Sequence, residues 1–543
     1  MTNPLRGADI VARTLDNAGM RTLFTLSGNH IMSIFDAVIG TEIELLHVRQ
    51  EAPAVFMASA WAALTGKVGV ALVTGGPGHT NAAAALCTPL ASETPMILLS
   101  GHAGTHEIGR GGFQELPQAA MAATVAKASW MVEQAKDLGH DLARAARIAA
   151  SGRPGPVHLS LPSDVLDTQL EDDPSLWPDI ADFAPNASPL GAVAASATLS
   201  AIQAADRPII VGGPMLCTAQ GREAARNLEN TLNVPVIGME SPRGLNDPAL
   251  GAFAEAIEET DLLVSIGKPL DFTLKFGEAP AFAPDCEFIV LDPDVEMIRR
   301  VAQDKGERLI LSAVASPFTA TAELANQGST IGADDWRTKV RAAVAYRPAD
   351  WEQTTSKTDG TLHALEFGRG VRQFMAENAN TVLVCDGGEI GQWSQGVLDS
   401  ERRITNGVAG SIGTAIPFGL AACTVEKDAP VIAISGDGAF GYHLAEFDTA
   451  IRCGLPLIAI VGNDARWNAE HQIQVRNYGE NRVHGCELLP TRYDLVVEAL
   501  GAHGEYVTEA AELPAALARA RASGKPACIN VMIEGNPAPI VRR

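Results

Sequence analysis

The sequence predicts an α/β protein made of three doubly wound domains with mainly parallel sheets. Three observations predict it. Short apolar runs alternate with longer helical stretches, the pattern of strands joined by crossover helices. Two polar stretches, about 162–190 (rich in Pro and acidic residues) and 347–362, divide the chain into blocks of similar size. The 543 residues are 46% hydrophobic and 19% charged, enough apolar material for several cores and too much for a disordered chain.

The first block, 1–165, has apolar runs at 22–26, 68–73, 96–100 and 156–161. Each is followed by small or polar residues and then a helical stretch, so each is read as a strand. The second, 190–335, opens on Pro208-Ile209-Ile210-Val211 and has further strands at 262–266 and 288–291. The third, 363–543, has strands at 381–385, 430–435, 456–461 and 527–532. No short-period repeat, coiled coil or low-complexity tract interrupts this order.

Charge and cysteine usage exclude several function classes. Against a net charge of −23, from 41 basic and 64 acidic side chains, no Lys/Arg run stands out to attract nucleic acid. The eight cysteines stand singly without a CxxC pair, so neither a zinc site nor a disulfide framework is expected. No apolar run approaches about 18 residues and the first residues lack a basic-then-apolar signal pattern. The expectation is a soluble, cytoplasmic protein with no membrane partner.

The most informative stretch is 431–468. An apolar strand ends in Gly436-Asp437-Gly438-Ala439, a helix follows, and a second strand ends in Gly462-Asn463-Asp464. Neighbouring parallel strands bring their C-terminal ends to one crevice, so Asp437 and Asp464 converge. Two carboxylates completed by phosphate and water oxygens suit Mg²⁺. Gly436, Gly438 and Ala439 are small enough for backbone N–H groups to approach a phosphate. The same text, Gly436-x-Gly438-x-x-Gly441, also matches the dinucleotide fingerprint, which keeps an NAD-dependent oxidoreductase as the competing class. Asp437 favours the first reading, because an acid beside a pyrophosphate is repulsive unless a cation lies between them.

This arrangement resembles the thiamine diphosphate motif, and the first block resembles the other half of that superfamily's site. Arg49-Gln50-Glu51-Ala52 resembles the segment with the activating glutamate. Gly76-Pro77-Gly78-His79-Thr80-Asn81 resembles the GPGxTN turn, and Gly112-Phe113-Gln114-Glu115 the FQE segment of acetolactate synthases. Gly438–Asp448, Asn481-Arg482-Val483, Gly501-Ala502 and the segment Pro526–Val531 are similar to benzaldehyde lyase. The resemblance covers the whole chain. It implies a pyrimidine-binding first domain, a central domain and a diphosphate-binding third domain. The cofactor would lie between the first domain of one subunit and the third of its partner, in a homodimer or homotetramer.

The resemblance also implies roles. Glu51 would hold a proton at the aminopyrimidine N1′, favouring the tautomer that deprotonates thiazolium C2. Gly76, Pro77 and Asn81 would line the pyrimidine side. Gly410-Ser411-Ile412 resembles the segment over which the cofactor bends, with the Gly410 carbonyl accepting from N4′ and Ile412 wedged between the rings. Asp437, Asp464 and the Arg466 backbone carbonyl would ligate Mg²⁺, with Trp467 beside them. Most family members carry Asn where Asp464 stands.

The groups facing a substrate would be Asn29, His30, His79, Gln114 and Glu470. Ser27-Gly28-Asn29-His30 resembles a loop of benzaldehyde lyase, and Glu470 lies 33 residues after Asp437, where pyruvate decarboxylases carry a glutamate. His79 matches a dione-hydrolysing relative, and His471 is read as peripheral. Ile473 replaces the bulky Trp of acetolactate synthase, and Thr273 its central-domain Arg. Leu270-Asp271-Phe272 is closer to the acyl-CoA lyase and decarboxylase branch. The central domain is therefore read as structural, with FAD or ADP left open. Together these features imply a C–C lyase or carboligase acting on 2-oxo acids or 2-hydroxy ketones, with a decarboxylase or dione hydrolase as alternatives.

Overall fold

The computed structural model describes residues 5–543. Three parallel sheets, each flanked by helices, account for all strands but a two-residue antiparallel pair, Leu5–Arg6 with Gln169–Leu170. The chain divides into two compact units, one comprising residues up to 186 with 420–425 and 448–453, the other the remainder.

In the first unit the sheet order is Glu44–His47, Thr22–Thr25, Gly69–Val73, Met96–His102, Pro156–Pro162, Ala128–Met131. The inner strands are aliphatic and fully covered: Val70, Leu72, Ile97, Leu99, Val157 and Leu159 form the core with Ile10, Leu15 and Leu142 of two amphipathic helices. Local chemistry sets the helix that carries Glu51. Gln50 caps Glu51–Thr65 by accepting from the Ala52 N–H at 2.9 Å, and Gly66, at φ +69°, ends it in the left-handed region. Pro77, which has no N–H to leave unpaired, starts the next helix, Pro77–Ala85.

The second unit holds two sheets. The central one runs Val236–Gly238, Pro208–Gly212, Leu262–Ile266, Glu287–Asp292, Leu309–Val314. The last runs Arg403–Thr405, Val382–Cys385, Val431–Gly436, Ile458–Asn463, Ala527–Met532, His503–Val507. Numbered by chain order within each sheet, the first and last share the order 2-1-3-4-6-5, and the central sheet is 2-1-3-4-5. In all three the order reverses between strands 1 and 3, the switch point where α/β sheets open a ligand crevice. No helix among the described residues is long and apolar enough to cross a membrane.

Candidate active site

In the first sheet, strand Thr22–Thr25 runs out into Gly28, Asn29 and His30, beside the end of strand Gly69–Val73. The two strand ends approach very closely: a Cβ on Gly28 would lie 2.3 Å from Thr74 Cβ. His30 is 4% exposed, with Nδ1 3.1 Å from Thr74 Oγ1 and Nε2 3.2 Å from the Phe113 carbonyl oxygen. The carbonyl only accepts, so Nε2 carries the proton and Nδ1 accepts from the threonine. Burial holds the imidazole below its usual pKa, so it is neutral at pH 7. The exposed Phe113 ring stacks over it at 5.8 Å.

Gln114 follows at φ +58°, a left-handed conformation that costs a non-glycine residue energy. Two contacts hold it there. The Glu115 carboxylate accepts the N–H groups of Gly109, Gly111 and Gly112 at 2.6, 3.1 and 3.0 Å, which keeps it below the usual carboxylate range. Gly76, at φ +55°, sits so close that a Cβ there would be 2.7 Å from Gln114 Cβ. The buried Gln118 then fixes Gly76 itself, accepting its N–H at 2.8 Å and donating to the Gly101 carbonyl and Ser160 Oγ. No sequence motif singles out Gln118.

Glu51, 9% exposed, stands at the first position of its helix. Its Oε2 accepts from Asn81 Nδ2 at 3.0 Å, and a Cβ on Gly78 would be 3.3 Å from Oε1. The GPG turn, Asn81 and Glu51 are thus brought together. Asn29 is exposed at the rim. His79, read from sequence as facing a substrate, is enclosed within the domain. It is 0% exposed, its Nδ1 is 2.9 Å from Ser100 Oγ, and its ring packs 4.6 Å from that of His158. Burial pushes it down to about 4. It lies one position past Gly78 in the first turn of its helix, on the side that packs on Ser100 and His158 of the sheet.

In the last sheet, strands Val431–Gly436 and Ile458–Asn463 are parallel neighbours, so Asp437 and Asp464 emerge side by side. Ala465, at φ +55°, turns the chain so that the Arg466 N–H also points at the two carboxylates. Both carboxyls are held well above the usual range, by burial and, for Asp464, by the charge of Asp437. Asp437 Oδ2 is buried without a hydrogen-bond partner. Two facing carboxylates with an orphaned oxygen fit a divalent cation. Among the described residues no three acidic, His or Cys side chains form a metal centre by themselves, so phosphate, water or carbonyl oxygens must complete the shell.

A cleft of about 230 Å³ opens over these carboxylates, lined among others by Gly388, Ile412, Gly438, Trp467 and Glu470. The Trp467 ring packs against Gly438, where any Cβ would be 2.7 Å from it. Gly410 is at φ +67°, where a Cβ would touch Pro242 at 3.8 Å. Ser411 lies in the same half-buried turn. Glu389 is a further carboxyl in this cleft, accepting from the Ala538 N–H and raised by burial and by Glu470. His471 is half-buried on the same helix as Glu470, Trp393 is buried in the domain core and Ile473 is exposed. Small residues at a strand–helix turn above two carboxylates leave room for an anion and a cation in this half.

Comparison with known proteins agrees with this chemistry. Residues 5–121 match the thiamine pyrophosphate enzyme N-terminal TPP binding domain, 195–311 the central domain and 386–531 the C-terminal TPP binding domain. The chain is 30% identical to a probable acetolactate synthase of Mycobacterium bovis, over 97% of this chain and 95% of that one. It is 30% identical to human 2-hydroxyacyl-CoA lyase 2, over 92% and 84%. It is 27% identical to oxalyl-CoA decarboxylase of Escherichia coli, over 97% and 95%. None of these names mentions a nicotinamide or a flavin.

Proposed function

Because the chain belongs to the thiamine pyrophosphate enzymes, in the group of acetolactate synthase, 2-hydroxyacyl-CoA lyase and oxalyl-CoA decarboxylase, we propose a Mg²⁺-dependent C–C lyase or carboligase acting on 2-oxo acids or 2-hydroxy ketones. The observation that carries this reading is the neutral His30, tethered to Thr74 beneath Phe113 and beside the strained Gln114. These are uncharged donors and acceptors, suited to a carbonyl and a hydroxyl.

The bound cofactor supplies a nucleophilic carbon and an electron sink. The chain supplies the rest. Glu51 holds a proton at N1′, with Asn81 fixing its carboxylate. Asp437, Asp464 and the Arg466 carbonyl hold Mg²⁺, and Gly436, Gly438 and Ala439 leave room for the diphosphate. Gly410, Ser411 and Ile412 support the rings. His30 Nε2–H, which now donates to the Phe113 carbonyl, would donate instead to the substrate oxygen, and Gln114 would orient the carbonyl. The active form is a homodimer or homotetramer. His30→Ala is expected to lower kcat about 10²-fold while thiamine diphosphate affinity stays within about threefold. Paired steady-state kinetics and calorimetry separate the two, and an unchanged product ratio would remove His30 from the substrate pocket.

Glu470 favours a second reading, a 2-oxo acid decarboxylase. It lines the cleft with Glu389, whose carboxyl burial and the nearby Glu470 push up. Glu470→Gln is expected to slow aldehyde release from a 2-oxo acid about tenfold or more and to leave carboligation intact. Equal slowing of both products would assign Glu470 to general structure.

A further inference from the structure

Asp386 follows strand 1 of the last sheet, at its switch point, and belongs to none of the motifs above. It is 1% exposed. Its Oδ1 accepts the N–H groups of Gly387 and Gly413 at 2.8 and 3.0 Å. Its Oδ2 accepts the Ala415 N–H at 3.3 Å and the Ser435 hydroxyl at 3.0 Å. One carboxylate thus ties together the end of strand 1, the turn that carries Gly410–Ile412, and the residue before Gly436-Asp437. From the other side, buried His443 donates Nδ1–H to the Gly413 carbonyl at 2.6 Å. Both backbone groups of Gly413, at φ +80°, are therefore held.

No cation is among the four donors to Asp386. Burial pushes the carboxyl up to about 6, so keeping it here is unfavourable unless those four bonds do something an apolar residue would not. A leucine of similar size would fill the space and leave three N–H groups unpaired. The first sheet has the same device at its own switch point, where His30 and Thr74 join the ends of strands 1 and 3. Both cofactor-type sheets are cross-linked by a side chain where they open.

We infer that Asp386, with His443, is a positioning residue that fixes the 410–415 turn relative to the Gly436-Asp437-Gly438 turn, so that the cofactor's rings and diphosphate meet a preformed site. The inference rests on the reading of 410–412 and 436–439 as cofactor-holding segments. Residues so placed act through the backbone rather than on the substrate.

Asp386→Asn keeps the shape but turns an NH₂ toward N–H donors. Two readouts test it. Amide hydrogen exchange of the cofactor-free protein should rise about tenfold or more at 410–415, while strands Val431–Gly436 and Ile458–Asn463 stay within about twofold. With Mg²⁺ present, the thiamine diphosphate Kd, read by tryptophan quenching, should rise about tenfold or more. Ser435→Ala, which removes one neutral donor of the four, should stay within about threefold. If Asp386→Asn does not fold, His443→Ala must show the same local exchange and weakened binding. Wild-type exchange at the turn, exchange raised equally across the sheet, or wild-type cofactor affinity in these variants would overturn the inference. A wild-type protein that itself ignores thiamine diphosphate would instead overturn the functional reading, and the exchange result would still stand.

Discussion

Glu51→Gln is expected to lower turnover about 10²–10⁴-fold with the fold unchanged. The amide has the same shape and can still accept from Asn81 Nδ2, which now donates to Oε2 at 3.0 Å. What it loses is the capacity to hold a proton and a charge at N1′. The structural cost is small. An acidic side chain in the first turn contributes only about 0.3–1 kcal/mol through the helix dipole, and Gln50 still caps the helix. Kinetics and thermal unfolding on the same preparation check both halves. A variant near the wild-type rate would contradict the role given to Glu51. A variant that unfolds early would assign the residue to stability instead.

The second large effect lies at the facing carboxylates. Asp437→Ala is expected to abolish Mg²⁺-dependent thiamine diphosphate binding, a loss of about 10²-fold or more in affinity, measured by calorimetry with and without Mg²⁺. The pH dependence of the wild type reports the same pair. Asp437 and Asp464 have folded-state values raised above their unfolded values. The folded protein therefore keeps protons that the unfolded chain releases near pH 4. Their contribution lowers metal-free stability as the pH climbs from about 4 through the raised values. Mg²⁺ replaces those protons, so its thermal stabilisation should be larger at pH 8 than at pH 5, and Asp437→Ala should erase the difference. A Mg²⁺ shift that is independent of pH would separate the metal from these carboxylates.

The strands legible in the sequence are the inner ones. The runs at 22–26, 68–73, 96–100 and 156–161 are largely covered on both faces, so burial writes a continuous apolar signal. The edge strands Glu44–His47, Ala128–Met131, Val236–Gly238, Leu309–Val314, Arg403–Thr405 and His503–Val507 escape such a reading. Leu309–Val314 alternates half-buried and exposed, and Ala128–Met131 is half-buried throughout. Val236–Gly238 and Arg403–Thr405 are mostly buried and escape because each is only three residues long.

The site divides the same way. That Glu51 would lie beside Asn81, and Asp437 beside Asp464, was legible because a motif constrains both residue type and spacing. His79 shares a motif with Asn81, yet its direction depends on which helix face meets the sheet, which spacing does not record. Asp386 and Gln118 bond backbone groups and hydroxyls, most of them distant in sequence, so no local pattern marks them. The one available trace of Asp386 is a carboxylate placed at a strand end before two glycines.

The central claim is that bound thiamine diphosphate and Mg²⁺ make and break C–C bonds here. The most direct measurement incubates the holoenzyme with pyruvate, benzoylformate, acetoin and benzoin in turn and identifies products by NMR. The account predicts at least one substrate converted to aldehyde, CO₂ or a new 2-hydroxy ketone, with conversion lost in Glu51→Gln. A protein that binds the cofactor tightly and leaves every 2-oxo acid and 2-hydroxy ketone untouched would contradict it.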